Sequence, residues 1–283
     1  MSEEVSKSTK YTLAFDSSTA SLAVAVMNGG DLLAERNITA ERNHSVHLIT
    51  AIEEALGEAG VRKSELSGIA AGVGPGSYTG IRIAVTTAKT LAWSMALPVA
   101  GISSLAALGL GGWAEGTDQP PAAFAAAAGS PARQGTAAGE QAAVGSAPAE
   151  WIIPLVDARR GQVYTALFEA APGKLPRRLE PDGIRLMERW TAALAGRLEA
   201  LAPEARPSAV WFTGETELHA EAAEVLRPLL GGRLQIRPHL LQGAWAGLLG
   251  ADRLLRGESD EVHSLVPNYT QLSEAEANLA RGK

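Results

Sequence analysis

The chain has 283 residues, a formal net charge of −6 and no cysteine. That length suggests two domains at roughly 150 residues each, and the acidic balance argues against a broad basic surface for nucleic acid, leaving only local patches. Without cysteine there are no disulfides, thiolate zinc sites or cysteine nucleophiles, which fits a reducing, cytoplasmic setting.

No apolar run reaches the roughly 18 residues of a membrane span. Residues 1–10 are polar and read as a disordered tail rather than a signal peptide. Tyr11 to Asp16 is a short apolar strand ending in an acid, and Ser17-Ser18-Thr19 is turn chemistry. Ser21 to Met27 is a second strand. Asn28-Gly29-Gly30-Asp31 marks a hairpin into a third strand, Leu32 to Ile38. Asn43 can cap a helix carrying Val46, Leu48, Ile49, Ile52, Ala55 and Leu56. Leu66 to Val73 is a strand of the buried, parallel type. A glycine-rich loop, Gly74 to Gly80, leads into a helix ending near Met95, and Val99 to Ile102 is a further strand.

Composition then changes. Of residues 111–150, 27 are Ala, Gly, Pro or Ser, too interrupted for a regular helix. We read them as a low-complexity insert or linker between an N-terminal lobe, 11–110, and a C-terminal lobe, 151–283. The alternative is an Ala helix near Pro121 to Ala128. The second lobe repeats the opening theme: strand Trp151 to Val156, then Asp157, a turn Ala158-Arg159-Arg160-Gly161, and a strand from Gln162 to Glu169. Val210 to Thr213 is a later strand, with helices expected over 216–226 and 240–255. Two halves that each begin strand–Asp–turn–strand predict a duplicated α/β architecture.

Five clusters carry candidate chemistry. Asp16-Ser17-Ser18-Thr19 has an acid to orient a metal-bound water and hydroxyls to cradle phosphate. The alternative is a plain Asx or Ser/Thr turn, which four residues alone favour. Gly74, Gly76, Ser77 and Thr79 stand where a strand meets a helix N-terminus, a place that favours anions. A sharp turn with a capped helix explains the same residues equally well. His44 and His47 share a helix at i, i+3, but no third metal ligand is evident, so we read them as structural or interface residues. Asp157 to Gly161 sits where a second phosphate turn would be. There, however, Arg159 and Arg160 bring bulk and charge, suited to an anionic partner or to pairing with acids. Thr213-Gly214-Glu215 has the form of a nucleoside-contacting turn with only one glycine. His219, His239 and His263 are isolated in sequence and read as surface or core histidines.

Taken together, Leu13-Ala-Phe-Asp-Ser-Ser-Thr-Ala20, Asn43-His-Ser-x-x-Leu48, Gly72-Val-Gly-Pro-Gly-Ser-Tyr-Thr-Gly-Ile-Arg-Ile83, Asp157-Ala-Arg-Arg-Gly-x-Val-Tyr164 and Pro267-Asn-Tyr269 with Ser273-Glu-Ala-Glu276 resemble one family. It is the bacterial tRNA threonylcarbamoyladenosine biosynthesis family TsaB, also called YeaZ. The resemblance is strong over residues 11–110 and looser over 151–276. It implies an actin-like, ribonuclease-H-like fold of two α/β lobes with mixed sheets flanked by helices. It also implies a non-catalytic scaffold that pairs with the transferase TsaD and the ATPase TsaE, with a homodimer as the state without TsaD. The modified base is the adenosine beside the tRNA anticodon, and the partner holds most of the tRNA. The resemblance implies no intrinsic cofactor, and a nucleotide at the TsaB–TsaD junction stays an open alternative.

The pairing surface it implies lies on the first two helices of the N-terminal lobe: His44, His47, Leu48, Ile52, Leu56, Ile83, Thr86, Thr87 and Thr90. On that view Ile52→Glu separates the partners and leaves the chain folded. Against the catalytic paralogue's His-x-x-x-His metal pair, this chain has His44-x-x-His47. Its second phosphate turn is spoiled at 158–160. Asp16, Ser17, Ser18, Thr19, Gly74, Gly76, Ser77 and Thr79 then read as a vestigial phosphate site, and Arg159 and Arg160 as an anion contact. The competing reading is an ATP- or metal-dependent enzyme of the same superfamily.

Overall fold

A computed structural model of the chain describes residues 10–39, 44–129 and 149–270, with only the backbone of His44. Residues 1–9 of the expected tail at 1–10, the Asn43 cap and the motif at 273–276 lie outside the described residues.

The first sheet is built from β1 (Tyr11–Asp16), β2 (Ser21–Asn28), β3 (Asp31–Thr39), β4 (Leu66–Gly72) and β5 (Val99–Ile102), in the order β3-β2-β1-β4-β5. Strands β1 and β2 are antiparallel, while β1, β4 and β5 run parallel. The hairpin at 28–31 has Gly29 at positive φ, as a tight turn needs. Helices α1 (His44–Ala59) and α2 (Tyr78–Met95) make the parallel crossovers and cover one face. Leu48, Ile52 and Leu56 of α1 and Ala84, Val85 and Ala88 of α2 are buried there with Leu13, Phe15 and Ile69.

The second sheet repeats the plan with β6 (Glu150–Asp157), β7 (Gln162–Ala170), β8 (Arg177–Leu186), β9 (Val210–Gly214) and β10 (Leu234–Pro238). Its order is β8-β7-β6-β9-β10, again with an antiparallel half and a parallel half. The outer face is covered by α4 (Met187–Ala200) and the short α5 (Ala220–Glu224) and α6 (Arg227–Leu230). The duplicated two-lobe architecture with mixed sheets is therefore as expected. The helix expected over 216–226 is shorter, and Pro228 sits in the first turn of the separate α6.

Two helices depart from the expected lobes. Helix α3 (Ser104–Gly116) follows the first sheet in sequence but lies on the second, against β6, β7 and β9. Helix α7 (Gly243–Leu255) follows the second sheet but lies on the first, against β1 and β2. The linker reading of 111–150 therefore fails for 111–129. Residues 111–116 are the last turns of α3, buried through Ala114, with Trp113 fully buried. Residues 121–127 form a 3-10 helix, so the alternative of a helix near 121–128 is closer to what is found. Phe124 anchors it edge-on between Trp113 and Trp245. An Ala/Gly run conceals such a role because its few large residues supply the burial while its small ones allow close approach. The rest of the proposed insert, 130–148, lies outside the described residues.

Candidate functional site

Two turns, at the ends of β1 and β6, and one helical face hold the residues singled out from sequence. Asp16 closes β1 and is fully buried. Its Oδ1 accepts the Ser18 N–H at 2.7 Å and its Oδ2 accepts the Ser104 hydroxyl at 2.6 Å. Ser104 Oγ in turn accepts the Gly74 N–H at 3.0 Å, and the Ser104 N–H returns a bond to Gly74 O at 3.0 Å. Burial pushes the Asp16 carboxyl above the usual carboxylate range, opposed by the bonds from Ser104 and Ser18.

The glycine loop seats this turn. Ser77 N–H donates to Ser18 O at 2.7 Å, and Ser17 Oγ donates to Gly80 O at 2.8 Å. A side chain at Gly72 would collide with the Asp16 carboxylate, and one at Gly80 with Ser17 O. Ser77 also caps α2, accepting the Gly80 N–H at 3.3 Å. Thr19 accepts the Ser21 N–H at 3.2 Å. The bond from Gly74 to Pro75 is cis. The structure thus brings Asp16, Ser17, Ser18, Gly74, Gly76, Ser77 and Gly80 together, and they bond chiefly to one another. Ser18 Oγ is the exception, buried with no partner among the described residues.

The second turn is a tight hairpin closed by Ala158 N–H to Gln162 O and Gln162 N–H to Arg159 O, both 2.9 Å. Arg159 (φ 65°), Arg160 (φ 54°) and Gly161 (φ 70°) all occupy the left-handed region. Both arginines are exposed, and neither has an ion pair among the described residues. Beneath them lies a cluster the sequence did not suggest. Asp157 N–H donates to Glu215 Oε2 at 2.7 Å, and Asp157 Oδ1 faces His219 Nε2 at 3.0 Å. Burial, with Asp157 and Glu217 adding negative charge, pushes Glu215 up. Only the pairing of β6 with β9, which sets Leu155 against Gly214, joins these residues. No local spacing could have revealed them. His239 is likewise a core residue, its Nδ1 2.7 Å from Glu115 Oε2, while His263 is exposed. Among the described residues no group of three or more His, Asp or Glu side chains could hold a metal ion.

The helical face needs correction. Leu48, Ile52 and Leu56 point into the core at 1%, 4% and 4% exposure, so they cannot meet a partner. Ile52→Glu would therefore bury a charge in the folded chain rather than test an interface. The outward side of α1 presents His47, Val46 at 67% and Ile49 at 49% exposure. On α2, Thr86 and Thr90 are exposed and Ile83 and Thr87 are half-buried. Trp93, at 69% exposure, continues the same side at i, i+4, i+7 from Thr86. Periodicity alone missed this split because apolar residues run round more than one side of each helix.

Comparison with known proteins gives a consistent picture. Residues 37–132 match the family model described as TsaD, tRNA N6-adenosine threonylcarbamoyltransferase. The tRNA threonylcarbamoyladenosine biosynthesis protein TsaB of Bacillus subtilis is 34% identical over 94% of this chain and 96% of its own length. A tRNA N6-adenosine threonylcarbamoyltransferase of Streptococcus pneumoniae is 32% identical, but over only 34% of each chain. A Pseudomonas aeruginosa crystal structure, described as similar to peptidase YeaZ, superposes with a TM-score of 0.64 at 24% identity, covering 93% of this chain and all of that one.

Proposed function

We propose, for a chain that belongs to the TsaB family of tRNA threonylcarbamoyladenosine biosynthesis proteins, that it acts as a non-catalytic subunit holding a TsaD-type transferase through the outward face of α1 and α2. The observation that carries this reading is the exposed apolar set Val46 and Ile49 on α1 and Trp93 on the neighbouring α2, where Thr86 and Thr90 are exposed on the same side as Trp93. Large apolar residues at that exposure are stabilised when a partner removes them from water.

The absence of a catalytic role is supported by the first turn. Both oxygens of Asp16 are engaged by its own chain, leaving the carboxylate sealed rather than free for a metal-bound water. A TsaE-type ATPase completes the assembly in this reading, and the same face forms a homodimer when the transferase is absent. Arg159 and Arg160 provide an anion contact for tRNA or for a nucleotide held at the subunit junction. The reaction served is transfer of threonylcarbamoyl to the adenosine beside the anticodon, and the setting is cytoplasmic. No described helix is long and apolar enough to cross a membrane.

Co-expression with the TsaD-type subunit and size-exclusion chromatography test the reading. Ile49→Glu is expected to abolish co-elution and the modified nucleoside while its thermal unfolding stays close to wild type. Undiminished co-elution, or turnover of Mg-ATP by the isolated chain, would overturn it.

A further inference from the structure

We infer that the exchange of α3 and α7 between the lobes cross-braces them into one rigid body that does not hinge between its lobes. A hinge needs a few connecting residues free to change φ and ψ. Each of the two described crossings is instead held by bonds from the lobe it enters or leaves.

The first crossing, at 101–104, leads from β5 into α3. Ser104, the first residue of α3, is bonded both ways to Gly74 and to the buried Asp16. The helix then lies on the other lobe with little room to slide. A side chain at Gly112 would strike Thr213, and one at Gly116 would strike Trp211. At its far end Trp113 and Trp211, one from each side of this contact, donate their indole N–H groups to the same oxygen of Glu150, at 2.8 and 2.5 Å.

The second crossing, at 238–243, leads from β10 into α7. His239 N–H donates to Gly214 O at 3.1 Å, and its ring meets Glu115 of α3. Two residues later, Leu241 O accepts the Ser21 hydroxyl of the other lobe at 2.7 Å. The N-terminus of α7 is then capped by β3. Gly243 N–H donates to Asn37 Oδ1 at 2.9 Å and Ala244 N–H to Glu35 Oε1 at 2.7 Å. These bonds satisfy two of the four free N–H groups of a helix start and place a carboxylate at its positive end. Along α7, side chains at Gly243, Gly247 and Gly250 would strike Val24, Met27 and Ala70.

The packing between the two sheets is continuous. Ala23, Ala25 and Met27 of β2 share one buried cluster with Trp113, Phe124, Ile152, Phe168, Trp211 and Trp245. Parting the lobes would have to break this core, whose residues are buried as in a single domain's interior. The brace is independent of the partner reading and stands or falls separately from it.

The absence of cysteine allows two spin labels to be placed on the full chain through Ser64→Cys and Glu204→Cys, one on each lobe and both exposed. A single narrow separation is expected. A broad or two-peaked distribution would overturn the inference. Urea unfolding of the unlabelled chain gives a second readout. Tryptophan fluorescence and far-ultraviolet circular dichroism are expected to report one coincident transition. Two separated transitions would show that the lobes are not braced.

Discussion

Asp16 and Arg160 show how single residues depart from the roles their positions suggest. Asp16 is a buried acid whose native pKa is raised by desolvation. In the unfolded chain it titrates near the ordinary Asp value of about 3.9. Its contribution to stability is therefore full below that value and is lost as the pH rises through the higher native one. Asp16→Asn keeps an acceptor for Ser18 N–H but cannot ionise. Chemical denaturation across pH is expected to show a shallower loss of stability between weakly acidic and neutral pH than in wild type. An unchanged slope would mean that Asp16 is not the group responsible. Arg160 is a different case. A non-glycine residue in the left-handed region costs about 1–2 kcal/mol, partly offset by the greater unfolded-state freedom of glycine. Arg160→Gly is expected to stabilise the chain by up to about 1 kcal/mol. If the arginine serves an anion contact, the same change weakens tRNA binding by the assembled complex. Denaturation and fluorescence anisotropy measure the two effects separately.

At the scale of elements, the seams formed by α3 and α7 matter more than hydrophobic patterning. Helix α3 is buried on nearly all sides, from Ser104 to Ala114. It approaches its sheet through Gly109, Gly112 and Gly116, spaced to share one side of the helix. Gly112→Val adds bulk against the buried Thr213 side chain. Such overpacking costs typically about 1–3 kcal/mol. A lowered midpoint at an unchanged denaturant slope is the expected result, and a wild-type midpoint would show that the seam is loose. The same logic explains what the sequence concealed. Strands β1, β2, β4 and β5 were legible as short, largely apolar runs bounded by turn residues, and the helices α1 and α2 because their burial follows a period of 3.6. Helix α3 has no polar side to set a period, and β8 is an edge strand with little burial, so neither carried a signal.

For the molecule as a whole, duplication was legible from the repeated strand–Asp–turn–strand, and the two sheets do share one strand order. The division into lobes was not, because helix exchange is invisible to a chain read in order. With α3 and α7 exchanged, the chain is expected to unfold as one unit rather than as two domains. The candidate site divides in the same way. Local chemistry in the sequence marked both turns, the glycine loop and the arginine pair, because caps, tight turns and glycine contacts depend on neighbours a few residues away. The sequence by itself also determined family membership, through ordered motifs spread along the chain. Only the tertiary structure decided that Asp16 is sealed by Ser104, that His219 and Glu215 gather under Asp157, and that Ile49 rather than Ile52 faces outward. Each of those facts depends on which distant segment fills the space beside a residue, and burial and long-range contact are properties of the packed chain, not of its local order.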